Sequence, residues 1–266
     1  MPIPPLPICS RLPLRFALAP LLEALARIEA EAWQSHFNTG YYEGDWSGVA
    51  LITPEDSLLP LAPGQGSPIR STWWQREAAW NELLGAFHTT VRSARLLRLG
   101  PGSRIHEHRD LDLGQSGSDV RLHVPLLSPV GVEFLVDGLQ VPMQPGECWF
   151  LDLSRPHRVD NPGPGERIHM VLDCQPNDWM VAAIDQGLPT TPTLQQSRAG
   201  QDFARFRQLV EQDASLAQRL RSLTEVRDFL REAVELAAAR GLHFSEADVR
   251  AAMRLGKQAW SEQWKA

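Results

Sequence analysis

Cysteine is scarce in this chain: Cys9, Cys148 and Cys174 are the only three. They are too few and too scattered for a disulfide framework or a zinc site, and the usage is that of a reducing cytoplasm. Long apolar runs are absent, so no transmembrane helix is expected, and no membrane partner is expected either. The N-terminus, Met1 to Pro13, is Pro-rich, and the next apolar stretch is broken by Pro20 and Glu23, so it does not read as a secretory signal. Basic charge is also short. With 26 Lys+Arg against 32 Asp+Glu the formal net charge is −6, which argues against nucleic acid as a partner.

What remains is the composition of an ordinary folded protein, 43% hydrophobic and 22% charged over 266 residues. That length holds one large domain, or one domain with a small appendage. The charge is uneven. Residues 1–195 carry 14 basic and 22 acidic side chains, whereas residues 196–266 carry 12 and 10. The shift coincides with the Pro/Thr/Gly-rich stretch Gly187 to Gly200. The expectation is a main domain over 1–190, with its β core at about 93–175, and a small helical domain over 200–266.

Along the chain, Leu18 to Trp33 has helical spacing and reads as a helix. Asn38 to Ile52 reads as extended chain with a turn near Gly44, Thr53 to Thr72 as loop, and Trp73 to Phe87 as a second helix. From Ser93 the period changes to two. Strands are predicted at 94–99, 104–109, 120–126, 132–136, 139–142, 147–152, 157–161 and 167–173, with breaks that include Gly114-Gln115-Ser116-Gly117, Asp137-Gly138 and Pro145-Gly146. Asp137-Gly138 between two apolar runs is the strongest hairpin signal. Many short strands without intervening helices mean a sandwich or barrel. After Gly200 the spacing is helical again, with Gly241 as a stop and Ser245 with Asp248 as a capping box.

Within this pattern His108 and Asp110 stand two residues apart, and on a strand that spacing puts both on one face, roughly 6.7 Å apart. A second histidine from another strand, His157, would complete a 2-His-1-carboxylate facial triad, which holds non-haem Fe(II) and leaves its other positions open. His106 would share the face of His108 and Asp110, so a three-histidine site of His106, His108 and His157 stands as the alternative.

The blocks Ser103 to Asp112, Val120 to Pro125, Val132 to Phe134, Pro145 to Trp149, Pro156 to Val159 and Arg167 to His169, taken in order, resemble the aspartyl/asparaginyl β-hydroxylase family, in its bacterial branch near the proline hydroxylases. Residues 203–253 are similar, more loosely, to a small nitrogen-fixation-type leader-peptide helical domain. The family resemblance implies a mainly β fold, a double-stranded β-helix (cupin, jelly-roll) core with N-terminal helices and a C-terminal helical appendage. It implies Fe(II) as metal, 2-oxoglutarate as cosubstrate, O2, and release of succinate and CO2. The metal ligands it aligns are His108, Asp110 and His157. The vertebrate-type members have Gly at the position of Asp110, so the resemblance does not decide between Asp/Asn and Pro substrates.

Arg167, in the strand after His157, suits the distal carboxylate of 2-oxoglutarate, because a guanidinium binds a carboxylate in bidentate fashion. His169 shares its face. The resemblance gives His123 to the cosubstrate carboxylate and Arg121 to a cosubstrate or substrate carboxylate; an internal salt bridge from Arg121 to Asp112 or Asp119 is the alternative. Trp46, Trp149, Tyr41 and Tyr42 are candidate pocket walls or core, and Cys148 a buried small apolar residue. The expected function is hydroxylation of an amino acid or of a peptide residue. The alternative is a non-catalytic, metal- or ligand-binding cupin with a helical tail that docks a partner.

Overall fold

The computed structural model describes residues 6–113 and 117–262. The predicted break at Gly114-Gln115-Ser116 and the first five residues of the Pro-rich N-terminus lie outside them. The chain divides into two compact units, residues 1–194 and 195–266.

The first unit is built on strands β1 (Cys9–Arg15), β2 (Gln34–Ser35), β3 (Tyr42–Glu43), β4 (Trp46–Pro54), β5 (Pro68–Arg70), β6 (Val91–Leu99), β7 (Arg104–His108), β8 (Val120–Leu127), β9 (Glu133–Val136), β10 (Leu139–Gln140), β11 (Glu147–Leu151), β12 (His157–Asp160) and β13 (Arg167–Cys174). The larger sheet runs β1-β11-β8-β13-β6-β4-β2, with β5 beside β4; the smaller runs β10-β9-β12-β7-β3. Pairing is antiparallel throughout these ladders. This is the expected mainly β, cupin-like architecture. Asp137 and Gly138 both take positive φ, 51° and 75°, as the turn between β9 and β10 requires.

Alternation on the central strands separates two environments. Leu122, Val124 and Leu126 of β8 and Ile168, Met170, Leu172 and Cys174 of β13 enter one core, together with residues of helices α1 (Leu18–Ala26), α2 (Thr72–Gln75), α3 (Ala78–Leu84) and α4 (Asp178–Asp185). The opposite face carries Ser93 and Arg95 of β6, Arg121 and His123 of β8, and Arg167, His169 and Asp173 of β13. A second core, with Trp46, Leu99, Ile105, Phe134, Val136, Trp149 and Val159, contains residues of both sheets.

Several expectations are corrected. The helix read over Leu18 to Trp33 stops at Ala26, and by Glu29 the backbone is extended (φ −67°, ψ 150°). The helix read over Trp73 to Phe87 is two short ones, parted at Glu77 (φ −124°, ψ 113°). The loop read over Thr53 to Thr72 contains β5. Strand β1 and helix α4 are additions to the predicted elements.

The second unit contains α5 (Arg198–Gln212), α6 (Ala214–Arg221), α7 (Val226–Ala238) and α8 (Glu246–Glu262), with its own core of Phe206, Leu216, Leu220, Leu230, Ala233, Ala237, Phe244 and Val249. Gly241 follows α7, as expected. The capping box forms: Asp248 N–H donates to Ser245 Oγ (3.3 Å) and Ser245 N–H to Asp248 Oδ2 (2.8 Å).

Candidate active site

His157 of β12 lies directly opposite His108 of β7. Further along the same pair, Val159 faces Ile105 and Asp160 faces Arg104. Two residues of β12 thus span what three residues of β7 span, so β7 carries a bulge at His106-Glu107. The extra residue turns His108 onto the face of Ile105, and both line one cavity of about 110 Å³. It turns His106 away, toward Glu43, 3.4 Å from its Nε2. The expectation that His106, His108 and Asp110 share a face by simple alternation is therefore wrong. Asp110 lies beyond the end of β7, its N–H held by Leu153 C=O at 2.9 Å.

The donor atoms of His108, Asp110 and His157 all lie within 4.8 Å of one another. Asp110 Oδ1 is 3.5 Å from His108 Nε2 and 3.8 Å from His157 Nε2. Each imidazole has its other nitrogen occupied in the same way. His108 Nδ1–H donates to His106 C=O (2.8 Å) and His157 Nδ1–H to Arg155 C=O (3.0 Å). Those bonds fix the tautomer and leave both Nε2 lone pairs free, as a metal ligand requires. Burial lowers the His157 pKa to about 4, against a raising contribution from Asp110, which keeps the ring neutral. Two imidazoles and one carboxylate are the donor set of a ferrous facial triad. His106 is outside the cluster.

Arg121 donates Nη1 to Asp110 Oδ2 (2.6 Å) and grips Asp173 with Nε (2.6 Å) and Nη2 (3.1 Å). Asp112 lies 3.9 Å from it. Asp173 also accepts from Ser93 Oγ (3.0 Å) and pairs with Arg95. Burial raises the Asp173 carboxyl, but the guanidinium groups of Arg121 and Arg95 outweigh it and hold the acid ionised. Of the alternatives weighed for Arg121, a free carboxylate clamp or an internal ion pair, the structure has the ion pair, with partners Asp110 and Asp173. Asp119 pairs with Arg92 instead.

Arg167 is 2% exposed and faces the same cavity. It donates Nη2–H to His169 Nδ1 (2.8 Å), lies 5.5 Å over the Phe134 ring, and leaves Nε without a partner. Among the described residues no carboxylate is within ion-pair reach of it, and burial lowers its pKa to about 9. A buried cation without a counter-ion is costly, and a bound carboxylate removes that cost. His123 Nδ1 is 3.4 Å from His169 Nδ1. Because Arg167 already donates to that His169 nitrogen, the contact needs the proton on His123 Nδ1. His123 Nε2 is buried and unpartnered. Burial, then Arg167, pushes the pKa of both histidines well down, so both rings are neutral.

His36, unremarked in the sequence, completes a wall by stacking on Trp46 at 3.5 Å. Tyr41 lies 5.0 Å from the His108 ring, and Tyr42 meets Trp46 edge-on. Trp149 and Cys148 are core. Ser93, Arg95 and Asp173 were also missed. Their signal was phase: Asp173 is in step with Arg167 and His169 on β13.

Residues 22–176 match the family model described as Aspartyl/Asparaginyl beta-hydroxylase, and residues 199–249 match the Nif11 domain. Among solved structures the chain is similar to an oxidoreductase of the 2OG-Fe(II) oxygenase family from Burkholderia pseudomallei (14% identity, TM-score 0.40, 59% of this chain and 78% of that one). It is also similar to a Pseudomonas putida prolyl-4-hydroxylase (17%, 0.40, 64% and 93%). A third is the viral collagen prolyl hydroxylase of Paramecium Bursaria Chlorella virus-1 (12%, 0.38, 64% and 97%).

Proposed function

The chain belongs to the aspartyl/asparaginyl β-hydroxylase family, and from that premise we propose that it is an Fe(II)- and 2-oxoglutarate-dependent hydroxylase of an amino acid or a peptide residue, of Asp/Asn or Pro type. The observation that carries this reading is one cavity holding both a His-Asp-His donor set and a buried guanidinium that has no counter-ion among the described residues. When bound, Fe(II) and 2-oxoglutarate supply an oxidative decarboxylation that releases succinate and CO2 and delivers one oxygen atom of O2 to a substrate C–H bond.

The chain's own residues bind and orient. His108, Asp110 and His157 hold the metal and leave its remaining positions open. Arg167 anchors the distal carboxylate of the cosubstrate, and Phe134 beneath it keeps water from the guanidinium. His123 serves a carboxylate oxygen only with its proton moved from Nδ1 to Nε2, which gives up the long contact to His169. Trp46, His36 and Phe37 wall the cavity and exclude water from the reacting carbon. The cysteines Cys9, Cys148 and Cys174 are free, consistent with a reducing cytoplasm that also keeps iron ferrous. No helix among the described residues is long and apolar enough to cross a membrane.

The test is a screen of free amino acids and peptides under anaerobic Fe(II) loading, then O2, scored by succinate release and by mass detection of the added oxygen. A substrate that gains 16 mass units, as one added oxygen atom must give, in step with succinate supports the hydroxylase. Metal binding without any 2-oxoglutarate turnover would leave a ligand-binding cupin.

A further inference from the structure

We propose that Arg121 is a positioning residue for the metal carboxylate, holding Asp110 so that it presents a single oxygen to the metal. The inference rests on the reading of His108, Asp110 and His157 as metal ligands. It goes beyond that reading in saying how many oxygens Asp110 contributes and what decides the number.

The two carboxylate oxygens of Asp110 have different surroundings. Oδ1 faces the two imidazole Nε2 atoms, at 3.5 and 3.8 Å. Oδ2 accepts a short charge-assisted bond from Arg121 Nη1, at 2.6 Å. Arg121 is itself not free to turn. Its Nε and Nη2 are taken in fork geometry by Asp173, at 2.6 and 3.1 Å. Asp173 is gripped from its other side by Arg95 and by Ser93 Oγ.

The register of the larger sheet builds this row. Asp173 of β13 pairs with Arg121 of β8 on one side and with Ser93 of β6 on the other. Ser93, Asp173 and Arg121 therefore stand abreast across three adjacent strands, and Arg95 is two residues from Ser93 on the same face. Ser93, Arg95 and Asp173 are buried and the Arg121 side chain is 11% exposed, which strengthens each charge-assisted bond and makes any one partner costly to remove.

A carboxylate can ligate through one oxygen or two. Two histidines and one oxygen take three of six octahedral positions; a second oxygen would take a fourth. A chelating keto acid needs two positions and O2 one, so a bidentate Asp110 would leave too few. By occupying Oδ2, Arg121 keeps the three positions open. Its position on the sheet is the one from which the resemblance drew a carboxylate clamp, and the carboxylate it clamps is the chain's own.

The test uses Mn(II) as probe in the full-length chain, stripped of metal first, and reads water-proton relaxation per bound Mn(II), which reports metal-bound water. Wild type should bind one Mn(II) with the relaxation of an ion bearing three waters. Arg121→Gln should still bind, with relaxation about one third lower, as a second Asp110 oxygen displaces one of three waters. Asp173→Asn, which keeps volume but loosens the fork on Arg121, should shift the same way by less, and it carries the test alone if Arg121→Gln does not fold. Relaxation per bound Mn(II) equal to wild type in the folded variants overturns the inference. His157→Ala is the control for the underlying reading. If it binds Mn(II) as tightly as wild type, the ligand set is wrong and this inference falls with it.

Discussion

His108 and His157 face each other across β7 and β12 with ring centroids 4.2 Å apart, and the bulge at His106-Glu107 is what makes them do so. A regular ladder would put Glu107 opposite His157 and send His108 to the other face. Deleting Glu107 takes out the extra residue and leaves His108 opposite His157 on the face of Ile105, so the variant should fold and still bind one metal. Metal stoichiometry and circular dichroism on the deletion variant check this; loss of metal with the sheet intact would show that the bulge itself, and not the register alone, shapes the site.

The ligand assignment separates His106 from its neighbours. His157→Ala and Asp110→Ala should each lower Fe(II) affinity by at least about tenfold and abolish succinate release, since even an outer-sphere partner is worth 10–100-fold. His106→Ala, whose Nε2 lies 3.4 Å from Glu43 and outside the ligand cluster, should retain metal. Loss of iron in His106→Ala with both quantities intact in Asp110→Ala would restore the three-histidine alternative.

Arg167→Ala should weaken 2-oxoglutarate binding on the order of a hundredfold or more and leave metal affinity nearly unchanged. Breaking one side of a buried charge pair costs roughly 3–5 kcal/mol. Anaerobic titration with 2-oxoglutarate, followed by the visible band of its Fe(II) chelate, gives the number. Unchanged affinity would move the anchor elsewhere in the cavity.

Acid should destabilise the metal-free protein below neutrality. Burial first, then Arg95 and Arg121, lowers the His36 pKa to about 3, and His123 and His169 are lowered for the same first reason. The unfolded chain takes up these protons near pH 6.5, where the folded chain does not. Stability is thus fully present above that pH and is lost as pH falls toward the folded values. Melting of the chelator-treated protein should drop by several degrees between pH 7 and pH 5. A flat profile would mean that these rings are already charged or solvated in the fold.

The first unit should work alone. Its two cores are drawn from residues before 195, and the helices of the second unit close on a core of their own. A chain ending at Leu194 should fold, bind one metal and give the 2-oxoglutarate band; loss of both would make residues 195–266 part of the catalytic fold.

Most of the strand layout could be read directly, because period-two runs and turn residues are local signals. Asp137-Gly138 marked its hairpin, and Ser245 with Asp248 marked the start of α8. The bulge could not be read, since one extra residue at His106-Glu107 carries no composition signature and only the partner strand reveals it. Strand β1 was hidden by Pro13 within it and by the Pro-rich sequence before it. The fork from Arg121 to Asp173 joins residues 52 apart in sequence, so it required strand order as well as strand identity. His36 was invisible for the opposite reason: a lone histidine in extended chain says nothing until its ring is found on Trp46.

The alternation on β8 and β13 has a consequence for redesign. Even-numbered positions there, such as Leu122, Val124, Met170 and Leu172, face the helices; odd-numbered positions lie on the opposite face, where Arg121, His123, Arg167 and Val171 line the cavity. Scaffold and reactivity are thus written on interleaved, nearly independent residue sets of the same two strands. A library that randomises odd positions outside the Arg121–Asp173 pair and the metal and cosubstrate residues samples new substrates on a nearly unchanged chassis, whereas one that randomises even positions samples thermal tolerance at constant chemistry.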